Sequence, residues 1–212
     1  MHSETKTFLF EDIIELDEAT TTSVMLAEPY FDVIQISKYE LTPREKEIHY
    51  DLTIKFICDR GVSHEIVRHR ISSFAQESTR YCNYAKDKFG NSVSVIDILP
   101  GMMLDHKMRE LPVDTIAAIL SEWEQAMLDA ERHYMKMLEL GASPQIARDV
   151  LSTSTKTELV MTANLGEWFK FFSLRLPDSA HPQMRELTYE AYKDVLELEP
   201  DIFEHITATS GE

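Results

Sequence analysis

The chain has 212 residues, with 37 Asp and Glu against 21 Lys and Arg, for a formal net charge of −16. A hydrophobic share of 43% with 27% charged residues excludes wholesale disorder and suits a soluble globular protein of one domain or two small ones. The acidic balance argues against a general binder of nucleic acid or anionic membrane, so any anionic ligand needs a local island of positive charge.

In chain order, the segment Met25 to Ile36 reads as extended, with Pro29 as a break and a strand from Val33 to Ser37. Leu52, Ile54, Phe56 and Cys58 share one face of a period-two pattern over 51–58, which predicts a half-buried strand. Asp59-Arg60-Gly61 interrupts it, and Val62 to Arg70 reads as a short helix. Ser92 to Leu99 is a further strand candidate, closed by Pro100-Gly101. Val113, Ile116, Leu120, Trp123, Met127, Ala130, Tyr134 and Met137 alternate three and four apart, predicting a helix of about seven turns between Pro112 and Gly141. Such a stripe is either a core face or a subunit interface. Ser143-Pro144 opens a short helix through Val150, and Thr155 to Met161 reads as a strand. Asn164 to Leu174, Pro182 to Leu196 and Ile202 to Ile206 read as helices. Strands and helices are mixed without regular alternation, so the expected fold is α+β, with a mostly antiparallel central sheet and long helices. No repeat, low-complexity tract or linker divides the chain, and residues 1–212 read as one domain.

No run approaches the ~20 apolar residues of a membrane span. The start, Met1-His2-Ser3-Glu4-Thr5, lacks the basic-then-apolar order of a secretion signal. Two cysteines, Cys58 and Cys82, give no disulfide framework, and the expected location is cytoplasmic. Neither G-x-G-x-x-G nor G-x-x-x-x-G-K occurs, so the usual phosphate loops are absent.

Charge reverses between Arg60 and Arg80, where Arg60, Arg68, Arg70 and Arg80 face only Glu65 and Glu77. Guanidiniums are planar, permanently charged forks suited to phosphate and carboxylate. Hydroxyls and amides at Ser73, Gln76, Ser78 and Thr79 could read the edges of a heterocycle; the blander reading is a basic helix end paired with the many acids. His64 and His69 look like a zinc-protease pair, but they are five residues apart. At about 100° per residue they stand some 140° apart on a helix and cannot share one metal. No G-x-S-x-G elbow surrounds Ser73 or Ser78, while Cys82 is either a nucleophile activated by nearby guanidiniums or a small buried residue. Arg148, Lys170 and Arg175 complete the cations in the C-terminal half, and taken alone they read as solvated positions around a core helix.

Arg68-His69-Arg70, seven residues, then Ser78 matches the R-H-R-x7-S signature of the flavin-dependent thymidylate synthases, the ThyX family, with Ser73, Arg80 and Tyr81 also in place. The chain resembles that family over about residues 49–83 and 143–195. The resemblance implies methylation of dUMP at uracil C5, with methylenetetrahydrofolate as carbon donor, FAD as hydride carrier and NADPH as reductant. It also implies a homotetramer with active sites shared between subunits, and no protein nucleophile. Carried over by position, it gives dUMP the residues Glu65, Arg68, Gln76, Glu77, Ser78, Thr79, Arg80, Arg148 and Arg175. It gives FAD the residues Arg68, His69, Arg70 and Asn164, with Gly166 and Lys170 beside them. Arg175 would be the catalytic residue, stabilising an ionised N3, because a guanidinium stays protonated at neutral pH and is no base. The phosphate would fall to Arg80 and Arg148. Gly166 stands where many members have arginine, Lys170 where some have asparagine, and Pro43-Arg44-Glu45 where members often show His-Glu-Ser/Thr. A catalytically inactive FAD- and nucleotide-binding homologue is the alternative, and a cysteine-dependent synthase acting through Cys82 is the rival enzyme. No metal is expected.

Overall fold

In the computed structural model the chain is described over residues 25–27, 30–36, 42–86 and 90–206, the first two stretches as backbone. The predicted break at Pro29 and the start Met1–Thr5 lie outside the described residues. Strands β1 (Met25–Ala27) and β2 (Tyr30–Ile36) come first. Helix α1 (Pro43–His49) is not among the expected elements, although the chain encodes its start. Glu45 N donates to Thr42 Oγ1 at 3.4 Å and Thr42 N to Glu45 Oε2 at 2.9 Å, a capping box ahead of the first turn. Strand β3 (Asp51–Asp59) follows the predicted alternation. Helix α2 (Arg60–Ile66) starts and stops earlier than expected, because the Asp59 carboxylate accepts from Val62 N at 2.7 Å and fixes its first turn.

Strand β4 (Ser73–Gln76) lies inside the polar stretch and shows no apolar pattern of its own. Strand β5 (Ser94–Ile96) is shorter than the expected 92–99, since helix α3 (Leu99–Leu104) begins at Leu99. Pro100 therefore sits in a first helical turn rather than ending a strand, and Gly101 has no Cβ because Gln183 occupies that space. The long helix α4 (Val113–Glu139) is the predicted one, and Gly141 follows it at φ +97. Helix α5 (Pro144–Ala147) runs into a 3-10 turn, Arg148–Val150. Strand β6 (Lys156–Asn164), helix α6 (Leu165–Arg175), helix α7 (Pro182–Leu198) and helix α8 (Pro200–Phe203) complete the described elements, α8 ending short of the expected Ile206.

The sheet order is β2-β3-β6-β4, antiparallel throughout, while β1 and β5 form a separate parallel pair. This is the expected mixed fold with a mostly antiparallel sheet. Ile54 pairs with Met161 and Phe56 with Leu159, so one face of β3 and β6 is continuously apolar and fully covered. Trp168, Phe171 and Phe172 of α6 and Val62 and Ile66 of α2 pack onto that face. The expected stripe on α4 divides: Met127 and Tyr134 are buried, but Val113 is 80% exposed.

Register places the helix ends. In the β3–β6 ladder Asp51 pairs with Asn164 and Asp59 with Lys156, so α2 and α6 leave from opposite ends of the same pair. At about 1.5 Å per residue, seven residues of α2 and eleven of α6 span roughly 27 Å together, close to the roughly 30 Å of the strands. Their C-terminal ends converge.

Candidate functional site

Arg175, in the last turn of α6, meets the last turn of α2 where those ends converge. Its Nη1 donates to Glu65 Oε2 at 2.7 Å, its Nη2 to the Glu65 carbonyl at 3.2 Å and its Nε to His69 Nε2 at 3.1 Å. A cation against a helix C-terminal carbonyl is favourable on its own, and here a carboxylate and an imidazole fix its plane as well. Because His69 Nε2 accepts, its ring proton belongs on Nδ1. The ring packs 4.8 Å from the Phe171 ring, and burial, then the Arg175 charge, push its pKa down to about 4. His69 is therefore neutral at physiological pH.

A second group lies around the other side of α2. Arg60 and His64, one turn apart on that helix, line a cleft of about 330 Å³ together with Thr79, Arg148, Ser152 and Thr153. Arg148 Nη1 donates to Thr79 Oγ1 at 3.2 Å, tying the turn after α5 to the loop after β4. Arg60 N donates to the carbonyls of Thr153 and Thr155 at 2.9 and 3.1 Å, which seats the start of α2 against the loop before β6. Sequence reasoning found Thr79 and Arg148 but assigned no role to Arg60, His64, Ser152 or Thr153. The available signal was the four-residue spacing of Arg60 and His64, which sets them about 40° apart on one helix flank.

The other expected dUMP residues divide. The Gln76 amide turns inward, donating to Ser63 Oγ at 2.9 Å and Thr157 Oγ1 at 3.3 Å, so it locks β4 to α2 and β6. Glu77 Oε1 accepts from the Cys82 thiol at 3.3 Å, and Lys156 Nζ stands 4.0 Å from Glu77 Oε2. Cys82 thus has a carboxylate as the acceptor for its thiol. Ser78 Oγ accepts from Arg80 N at 3.4 Å, while the Arg80 guanidinium is exposed, 5.5 Å from the Tyr81 ring centroid.

The Arg-His-Arg motif splits. His69 turns to Arg175, whereas Arg68 and Arg70 are exposed, their side chains without hydrogen bonds or ion pairs among the described residues. Two free guanidiniums flanking one residue are a donor set that fits a dinucleotide's pyrophosphate, so the residues present suit a bound FAD. Asn164 caps α6, its Oδ1 accepting from Glu167 N at 2.9 Å, and Lys170 pairs with Glu167 at 2.5 Å. A Cβ on Gly166 would lie 3.0 Å from the Glu47 carbonyl of α1. The expected contrasts at Gly166 and Pro43-Arg44-Glu45 meet at one contact, since Pro43-Arg44-Glu45 opens α1 and the Glu47 carbonyl of that helix lies over Gly166. Among the described residues no group of three or more His, Cys, Asp or Glu is gathered to hold a metal, and no helix is long and apolar enough to cross a membrane.

Comparison with known proteins agrees with this architecture. The family model described as "Thymidylate synthase complementing protein" matches residues 46–201, and the chain belongs to that family. It is 30% identical over 142 residues to the flavin-dependent thymidylate synthase of Pyrococcus abyssi, an alignment covering 67% of this chain and 52% of that protein. With the enzyme of the same name from Geobacter sulfurreducens it shares 30% identity over 145 residues, covering 68% of this chain and 55% of the relative. The chain therefore spans about half the length of the curated relatives it matches. Among solved structures it is similar to the UMP/dUMP methylase PolB from Streptomyces cacaoi bound with 5-Br UMP. The TM-score is 0.71 at 20% identity, covering 86% of this chain and 96% of that one, a likeness of fold.

Proposed function

We propose that this protein is a flavin-dependent thymidylate synthase that converts dUMP to dTMP, with methylenetetrahydrofolate as carbon donor and NADPH-reduced FAD as hydride source. It acts in the cytoplasm as a homotetramer with active sites shared between subunits. One observation carries the reading. A guanidinium fixed on three sides, Arg175, and a separate cation-lined cleft containing Arg148 and Thr79 lie around the same short helix. A nucleotide attacked at its base needs both, one cation for charge developing on the ring and another site for its phosphate.

Arg175 is the catalytic residue: held by Glu65 and His69, it stabilises negative charge on the uracil without reorganising. Neutral His69 orients it without competing for the anion. Thr79 and Arg148 bind the phosphate; Glu77, Ser78 and Arg80 supply the loop that borders the nucleotide, and Gln76 holds that loop to α2. Arg68, Arg70, Asn164 and Lys170 line the flavin's place, and Gly166 keeps α1 close beside it. When bound, FAD supplies the redox chemistry. The exposed Val113 at the start of α4 and the open guanidiniums of Arg68, Arg70 and Arg80 support an assembled state, because each is left uncovered by the described residues of its own chain.

The test is an absorbance spectrum of the purified protein before and after anaerobic NADPH, with and without dUMP, followed by assay of dTMP. Flavin bands that bleach faster with dUMP, and dTMP dependent on methylenetetrahydrofolate, are the expected result. A protein that stays colourless after addition of FAD, or binds flavin and dUMP without forming dTMP, overturns it.

A further inference from the structure

The cleft beside α2 is richer in donors than the two residues the family resemblance gives it. Arg60 Nη1 is buried and has no hydrogen-bond partner among the described residues. An unsatisfied buried N–H costs on the order of 1–3 kcal/mol, so this group calls for an acceptor that the described residues do not supply. His64 lies one turn on along the same flank of α2 and lines the same cleft. Arg148 uses one of its donors on Thr79 and retains the others. Ser152 Oγ accepts from Ser154 N at 3.0 Å, which leaves its hydroxyl proton for another partner. Asp149 is the single acid on the lining among the described residues.

The walls are rigid where it matters. Arg60 N and Gly61 N both donate to the Thr153 carbonyl, at 2.9 and 3.3 Å, so the hydroxyl loop and the first turn of α2 move together. A Cβ on Gly61 would stand 3.0 Å from the Asp59 carboxylate that caps the helix. Arg80, expected to share the phosphate with Arg148, lies over Tyr81 and does not line this cleft. Two guanidiniums, an imidazole and hydroxyl groups around about 330 Å³ suit a tetrahedral dianion on a small organic body.

Resting on the reading of dUMP as substrate, we infer that Arg60 and His64 are phosphate-binding residues, closing with Arg148 around the nucleotide's 5′-phosphate. Arg60 is the principal cation of the pair, since a guanidinium is permanently charged and presents a planar fork of donors. The 5′-phosphate is thereby gripped from α2 and from the turn after α5 at once, and the nucleotide's position is tied to the helix that also holds Arg175 through Glu65.

The experiment is calorimetric titration of the full chain and its Arg60→Gln, Arg60→Lys and His64→Gln variants with dUMP, with FAD binding followed in parallel by absorbance. Arg60→Gln is expected to weaken dUMP binding about 10- to 100-fold while leaving FAD binding unchanged. Arg60→Lys should recover part of that loss, and His64→Gln should cost a smaller factor. Wild-type dUMP affinity in Arg60→Gln overturns the inference; so does equal loss of dUMP and FAD, which marks a structural role. Inorganic phosphate separates this inference from the reading beneath it. If the wild-type chain ignores dUMP yet binds phosphate in an Arg60-dependent way, the cleft stands as a phosphate site and the substrate reading falls. If neither binds, both fall.

Discussion

Two groups of cations flank α2, and they are built in opposite ways. Arg175 is enclosed: each of its three nitrogens has a partner, two on Glu65 and one on His69. In the cleft, Arg148 has one side-chain hydroxyl partner and Arg60 Nη1 has none among the described residues. An enclosed cation offers a charge at a fixed point, with three of its five N–H groups already engaged, which suits charge that develops during a reaction. Open cations offer unsatisfied donors, which suits an anion already charged when it arrives. Under the proposed function, the held group serves the chemistry and the waiting groups the binding, around one short helix.

The largest test of that contrast is Arg175→Ala. If the enclosed cation acts on developing charge, dTMP formation should fall about 10²- to 10³-fold, chiefly in kcat, with dUMP still bound. Steady-state kinetics over a dUMP range check this. Full turnover in the variant would remove Arg175 from the mechanism, and a rise in KM at constant kcat would make it a binding cation like those of the cleft.

A smaller effect tests how the enclosure is maintained. His69 titrates at about 4 in the folded chain, below the ordinary 6.5, through burial first and the Arg175 charge second. With the folded pKa depressed, the neutral ring's contribution is present above pH 6.5 and is lost as pH falls toward 4, because the unfolded chain takes up the proton first. Allowing for the half-exposed ring, that window should carry about 1–2 kcal/mol. Urea midpoints measured at pH 7.5 and pH 4.5 check it. His69→Gln should flatten the difference, and Arg175→Ala should shrink it without abolishing it, since burial remains. An unchanged slope in His69→Gln would place the acid sensitivity elsewhere.

Much of this layout is legible in the sequence, and what is not has physical causes. The alternation of Leu52, Ile54, Phe56 and Cys58 gives β3, and the three-four spacing gives α4, because each element answers to one apolar surface. The Arg68 to Ser78 motif marks the site region. Its internal division, with His69 turned inward and its flanking arginines outward, depends on Arg175, 106 positions away, and no local pattern carries that. Strand β4 is hidden for the same reason, as its ladder partner is β6. The two early misreadings differ. Thr42 and Glu45 did spell a capping box, and Pro100 suits a first helical turn as well as it suits the end of a strand. The exposed Val113 at one end of the α4 stripe shows the limit of periodicity, which predicts a face and not what covers it.

The smallest expected effect lies at the far end of α6 and asks whether the Arg175 enclosure depends on how that helix is seated. Gly166 lies under the Glu47 carbonyl of α1, where an added Cβ would approach to 3.0 Å. That neighbour is backbone and cannot swing aside, so Gly166→Ala requires α1 to yield by a few tenths of an ångström. The gain from replacing glycine in a helix, about 0.5–1 kcal/mol, opposes this strain. Gly166→Ala should therefore change stability by less than about 1 kcal/mol in either direction, read as a shift in the urea midpoint. The informative comparison is Gly166→Arg, which carries the same Cβ. Matching midpoints in the two variants would assign the cost to the contact with α1 alone. A further loss confined to Gly166→Arg would mean that the guanidinium itself is unwelcome beside Lys170. Neither change should alter the pH dependence set by His69 if the C-terminal end of α6 is anchored by Glu65 independently of its start. A shifted pH dependence would make the whole helix, and not its last turn, the unit that positions Arg175.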